Sequence, residues 1–436
     1  MTLTNPNITT FTQNLLHKFL VMLFTTVCVL STAASCSLNP FGNQATFTTL
    51  GMLRQSSDSQ GFQKINSIAL INGKSDVEGL SGLSVIKVKQ QNADTIFIQT
   101  LEKGIFKTTD GGQNWSRIYI FPVQYTENKE GLKILEAQLK RNEEVVVNDF
   151  WVSPQDINVF YIAAKEGTQG KIFKTTDGGQ TVREVYLEVN NEGSSVDYVV
   201  IDPRNEDHVY ALLNANTLIH TLDAGATWQK LNNYNSESDK ITQIGLLADN
   251  RSIFILYQKA GISSSTDGIK WSKLIINKFT PPEPRNPNET LRETATNALS
   301  NLQDKVAPEI SNPFALYTKF IPIGNPNTAR KPAIILADKQ IWITSDFGKA
   351  QFVQLTSLPV QDTKLNIQDV QVDTTSALPK IYVAIGSKIL VSENNGKSWS
   401  NLPIGVEGIG PISNITLNPL DPQTIYLSLY NPGAKK

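Results

Sequence analysis

The chain has 436 residues and a formal net charge of −1, which gives it no global pull toward nucleic acid or anionic lipid. A hydrophobic share of 40% is an ordinary globular balance, enough for one large domain or two small ones. Only two cysteines occur, Cys28 and Cys36, so the body of the chain holds neither a disulfide framework nor a thiolate metal site.

Near the N-terminus, His17 and Lys18 precede an apolar run, FLVMLFTTVCVL, from Phe19 to Leu30. The run is short for a membrane span and small residues come after it, which predicts a cleaved signal over 1–35. Ala33-Ala34-Ser35-Cys36 resembles the bacterial lipobox, with Ala33 where the usual Leu stands. The resemblance implies that Cys36 is acylated and becomes the mature N-terminus. The chain is then extracytoplasmic, tied by its lipid to the outer membrane or cell surface. An ordinary secretory signal that contains a cysteine is the alternative. Residues 36–45 read as a tether.

The stretch KTTDGGQNW, Lys107 to Trp115, sets the repeat on which the rest of the chain is built. It returns as KTTDGGQTV from Lys174 and HTLDAGATW from His220, and more loosely as SSTDGIKW from Ser264, TSDFGKAQF from Thr344 and VSENNGKSW from Val391. A degraded copy around Asp58 and Phe62 opens the series. Before each later copy lies a pair of alternating β-rich runs, the first being LSVIKVKQQNADTIFIQT from Leu83 to Thr100. The last such pair, Ile412 to Tyr430, has no copy after it.

Seven first pairs and seven motif pairs, offset by one, predict an all-β fold: a seven-bladed β-propeller of four-stranded antiparallel blades. The N-terminal and C-terminal strand pairs would share one blade, a 2+2 closure that leaves no unpartnered terminal sheet. The propeller is expected over 46–436, with insertions at about 119–144 and 278–313. In the first, EGLKILEAQLKRNEE suggests a short helix or a long hairpin. In the second, Leu291, Ala295, Ala298 and Leu302 share a helical face.

The motif resembles the Asp-box, or BNR repeat, of sialidases, sortilin-type receptors and photosystem II assembly factors. The matching positions are Asp110, Gly112 and Trp115; Asp177 and Gly179; Asp223, Gly225 and Trp228; Asp267 and Trp271; Asp346 and Gly348; and Asn394, Gly396 and Trp399, with Asp58 in the degraded copy. In those families the box forms the turn between third and fourth strands, its acid accepting turn amides and its Gly permitting positive φ. The closing aromatic is expected to pack under the next blade. One acid per blade around a rim cannot converge on a ligand, so the boxes read as structural.

Function is therefore expected on the opposite face, where both insertions fall. Lys103, Lys165, Lys259, Lys339 and Lys388 stand in the second-to-third loops of five blades and could ring the pore to hold an acidic peptide or a glycan carboxylate. Catalytic candidates are few. The mature chain has His208 and His220 only, without a zinc spacing, and the sialidase Arg-Ile-Pro motif is missing. Neither an enzyme activity, a cofactor nor a metal is expected. The chain reads as a monomeric, lipid-anchored scaffold that binds a protein or a glycan. The alternative is cell-wall binding or sialidase-like hydrolysis. The assembly-factor resemblance implies a protein client, although the arginine-rich patch of that family is not evident.

Overall fold

The apolar runs that lie second in each repeat are buried along most or all of their length. IFIQT (Ile96–Thr100), VYALL (Val209–Leu213), IFILY (Ile253–Tyr257) and IYLSL (Ile425–Leu429) have no exposed position. Burial on both faces requires apolar cover from two sides. The short fourth runs, such as Gln229–Lys230, are exposed. Each repeat thus specifies a sheet that is wettest at its outer edge and driest in its middle.

The computed structural model describes residues 49–57, 61–67, 80–124, 129–188, 193–231, 239–247, 252–274, 277–279, 317–322, 333–337, 340–344, 351–355, 358, 367–373, 380–394, 396–418 and 420–433. All belong to the compact unit Phe47–Lys436. The signal, the tether with Cys36, the helix foreseen from Glu289, Asp58, Asp346, Gly348 and Lys339 lie outside these residues.

The chain opens with β1 (Gly51–Gln55) and β2 (Gln63–Lys64). The first blade is β3 (Val85–Gln90), β4 (Ile96–Thr100), β5 (Gly104–Thr108) and β6 (Ser116–Ile118). Helix α1 (Lys129–Glu143) leads to the second, β7 (Val145–Val152), β8 (Phe160–Glu166), β9 (Gln169–Thr175) and β10 (Arg183–Glu188). The third is β11 (Val196–Ile201), β12 (Val209–Leu213), β13 (Thr217–Thr221) and β14 (Gln229–Lys230). The fourth is β15 (Ile241–Leu246), β16 (Ile253–Tyr257), β17 (Gly261–Ser265) and β18 (Ser272–Leu274). After β19 (Asn277–Phe279) comes the fifth, β20 (Tyr317–Pro322), β21 (Ala333–Ala337), β22 (Gln340–Thr344) and β23 (Gln351–Gln354). The sixth is β24 (Ile367–Asp373), β25 (Lys380–Ile385), β26 (Lys388–Ser392) and β27 (Ser400–Leu402). Finally β28 (Ile412–Leu417) and β29 (Ile425–Leu429) pair with β1 and β2, so the seventh blade is closed by both ends of the described chain.

The seven-bladed propeller and its 2+2 closure stand as the sequence predicts. One sheet differs. β19 pairs in parallel with β23, Asn277 opposite Gln351, so the fifth blade has five strands. Residues 278 and 279, foreseen as the start of an insertion, instead extend the outer edge of that blade.

Seven hydrophobic clusters fill the seven gaps between neighbouring blades. Phe97, Phe150, Phe160 and Phe173 join the first blade to the second. Phe254, Phe320, Trp342 and Phe352 join the fourth to the fifth. Truncating one such ring costs about 3–5 kcal/mol in a typical core.

Candidate functional site

The acids of the repeated turns are the most conspicuous polar groups in the sequence. In each of three copies a buried Thr accepts the amide of the Gly four residues on and donates to the Asp. Thr108 Oγ1 donates to Asp110 Oδ1 at 2.7 Å and accepts Gly112 N at 3.0 Å. Thr175 with Asp177 and Gly179, and Thr221 with Asp223 and Gly225, repeat the pattern. The Asp also accepts the backbone amide four residues ahead, from Asn114, Thr181 and Thr227. Hydrogen bonds from Thr181 hold Asp177 down to about 2, and those from Thr227 hold Asp223 there too. Asn394 keeps the same acceptor geometry with its amide oxygen, from Ser392 Oγ at 3.0 Å and Ser398 N at 2.8 Å. The shortened copy at Asp267 accepts Ile269 N and Lys270 N instead.

The turns lean on the preceding blade, which corrects the expectation that the aromatic packs under the next one. Trp115 Nε1, in the first blade, donates to Ile65 O of the seventh, and Trp228 Nε1, in the third, to Val185 O of the second. Phe62, Val182, Trp271, Phe352 and Trp399 likewise join the cluster shared with the blade before. The Gly of each turn is pressed against that blade. A Cβ on Gly112 would lie 2.5 Å from Ile65 Cδ1, on Gly179 3.0 Å from Ile118 and on Gly225 3.2 Å from Val185. The twist of each sheet swings its outer edge back over its predecessor. In these three copies the Thr hydroxyl, the Gly amide and the Asp carboxylate are thus engaged within the turn.

Four of the five lysines foreseen as a ring lie among the described residues. Lys103 sits in the turn after β4, Lys165 near the end of β8, Lys259 in the turn after β16, and Lys388 opens β26. Among the described residues no hydrogen bond or ion pair links any of these four side chains to another. His220 stacks on Tyr210 at 6.0 Å, and burial holds its imidazole below the usual range. Among the described residues no group of His, Cys, Asp and Glu is placed to hold a metal, and no helix is long and apolar enough to cross a membrane.

A different polar constellation occupies the centre. Each innermost strand carries a register shift at one equivalent place, between Val85 and Lys87 in β3 and between Ile367 and Asp369 in β24, for example. The other five strands shift likewise. Such bulges re-aim the side chain that comes next. Those side chains are Lys87, Asp149, Tyr198, Gln243, Lys319, Asp369 and Asn414, and each reaches the innermost strand of the following blade. Lys87 pairs with Asp149, whose second oxygen accepts Val199 N at 3.1 Å. Tyr198 OH donates to Thr242 O at 2.6 Å. Gln243 bonds both N and O of Phe320, at 3.0 and 3.2 Å. Lys319 pairs with Asp369, which accepts Ile415 N at 2.8 Å. Asn414 Nδ2 closes the circle on Ile86 O at 2.9 Å.

Seven links, one between each pair of neighbouring blades, make a continuous polar belt. Both belt carboxylates are nearly solvent-free, with side chains 4% and 1% exposed, and each is satisfied by one ammonium and at least one backbone amide. Lys89, two residues after Lys87, lies 3.8 Å over the ring of Trp151. Aligning VIKVK, VNDFW, TKFIP and QDVQV by their bulges shows the belt residues in register, a signal that the individual runs hide.

No family model matches the chain, and no curated protein matches it. Solved structures share its fold. The structure of YCF48 bound to D1 peptide aligns with 85% of this chain and 100% of its own, at 12% identity and a TM-score of 0.50. The GH74 xyloglucanase of Xanthomonas campestris aligns with 80% of this chain and 51% of its own, at 11% identity and a TM-score of 0.55. A GH74 enzyme of Niastella koreensis aligns with 89% of this chain and 53% of its own, at 13% identity and a TM-score of 0.55. This chain spans about half the length of either GH74 structure. At these identities the likeness is one of fold alone.

Proposed function

We propose that this protein is a membrane-anchored, extracytoplasmic propeller that binds another protein through the face opposite the repeated turns, as a scaffold without chemistry of its own. The observation that carries this reading is α1. The helix lies in the connection from β6 to β7, on the side away from the turns, and it is pinned from below. Buried Asn142 accepts Phe121 N and donates to Phe121 O and Gln138 O, at 2.9–3.0 Å. The Arg141 guanidinium lies 3.8 Å over the Phe121 ring, which meets Phe173 edge-on. Leu135 turns inward while Ile134 is 49% exposed, and Lys133 and Lys140 are exposed as well. A pre-ordered helix with an apolar residue outward loses little entropy on docking.

Two features support the rest. The lipobox-like run ending at Cys36 favours a lipid anchor, and the structural neighbour YCF48 carries a peptide. The experiment is cross-linking in membranes of a strain expressing the full chain, compared with Ile134→Asp. An exposed substitution of this kind should leave stability within about 0.5 kcal/mol. Loss of specific cross-linked species is expected, and an unchanged set of partners would remove the helix from the docking face. Cys36→Ser should move the protein from the membrane to the soluble fraction. Robust turnover of chromogenic glycosides or xyloglucan would overturn the non-enzymatic part of the reading.

A further inference from the structure

One cation of the belt stands apart. It contains two ion pairs, Lys87 with Asp149 and Lys319 with Asp369, and beside them stands Lys89. Among the described residues no carboxylate pairs with Lys89; its ammonium rests instead on the face of Trp151. Burial drives the Lys87 ammonium well below its usual range, so what stands out is Lys89 as the one belt cation without a carboxylate partner among the described residues. Lys89 and Lys319 belong to the first and fifth blades, which are not neighbours on either side. Both stand on innermost strands, β3 and β20. Burial and Lys319 together push the Lys89 ammonium down to about 8, an unmet electrostatic demand.

Solvent reaches this space. The second strands are almost entirely buried, but Lys87, Lys89, Trp151, Tyr198, Gln243, Lys319 and Asn414 on the innermost strands are all half-buried. A cation that is partly desolvated, unpaired and open to water on one side is placed to take an anion.

We propose that the centre of the propeller is a binding site for a singly charged carboxylate, held by Lys89 with Trp151 beneath. One ammonium without a carboxylate selects the class. One negative charge matches it, whereas doubly charged phosphate would exceed it and would face the carboxylates of Asp149 and Asp369. The indole of Trp151 suits the apolar part of the ligand next to its carboxylate. The site stands independently of the docking face that bears α1.

The test uses the full chain and monitors thermal unfolding and calorimetry on titration with acetate, benzoate, phosphate and a short peptide supplied as free acid and as C-terminal amide. Saturable binding of the carboxylates is expected, with a rise in Tm, because ligand that binds only the folded state stabilises it. Lys89→Gln should weaken binding at least about tenfold, the scale of one charge-assisted bond. Lys388→Gln should not change it. If Lys89→Gln fails to fold, Lys89→Arg must retain binding and Trp151→Leu must weaken benzoate more than acetate. Free acid binding above the amide identifies a peptide terminus as the source, and equal small-molecule binding a free metabolite. No saturable binding to wild type, binding unaffected by every Lys89 and Trp151 substitution, or preference for phosphate would each overturn the proposal. Ile134→Asp leaves this binding intact even if the docking face fails.

Discussion

The rim and the centre of this propeller both fasten each blade to a neighbour, but in opposite ways. At the rim the acid's hydrogen bonds are local, closing a turn within four residues, and apart from indole donors such as Trp115 and Trp228 the inter-blade contact is apolar: Gly112 against Ile65, Gly225 against Val185. At the centre the hydrogen bonds themselves cross between blades, joining residues that are 44 to 328 positions apart. The rim also reaches backward to the preceding blade, whereas the belt reaches forward to the following one. A repeat protein therefore needs only one rim design, copied seven times. The belt needs complementary partners, and its seven positions carry Lys, Asp, Tyr, Gln, Lys, Asp and Asn.

The contrast is most exposed to test at a belt acid. Asp369→Ala leaves Lys319 without its partner and Ile415 N without its acceptor. Removing one member of a buried pair costs about 3–5 kcal/mol, and the lower end applies because the Lys319 side chain stays 31% exposed. Urea unfolding measures it, with Asp149→Ala alongside. A cost under about 1 kcal/mol for both would mean that apolar packing alone ties the blades.

A smaller loss is expected at the rim. Gly112 has φ +94° and no room for a Cβ, so Gly112→Ala should cost about 1–3 kcal/mol. Combining it with Ile65→Ala relieves the clash but leaves the backbone strain. The double-mutant cycle should therefore recover part of the loss and not all of it. Full additivity would show that the turn does not press on Ile65.

Acid separates the two regions more gently. Asp177 and Asp223 are held at about 2 in the folded chain, while an unfolded Asp titrates near ~4. The unfolded state takes up protons first as pH falls. Their contribution to stability is thus complete above ~4 and is lost as pH drops through about 2. Replacing both by Asn should flatten the dependence of Tm on pH between those values. An unchanged slope would show that these two turn acids do not set the acid sensitivity.

The same contrast divides what was legible in the sequence from what was not. Thr108, Asp110 and Gly112 need only one another to make their turn, so their spacing is visible in a nine-residue string and its copies number the blades. The alternation of the strand pairs, with the offset of their order, determined the closure of β28 and β29 on β1 and β2. Helix α1 was half visible, because a charged helix and a long hairpin share a composition. What the sequence could not say is which blade Trp115 meets, since packing forward and packing backward bury the same indole. The extra strand β19 was hidden for a related reason: three residues pair with β23 across a long insertion and leave no periodicity. The ring of lysines was drawn from loop positions, whereas the belt is drawn from bulges. A bulge turns a side chain out of the alternation that sequence reading relies on, and only the closed ring brings Lys87 to Asp149, Lys319 to Asp369 and Lys89 to the centre.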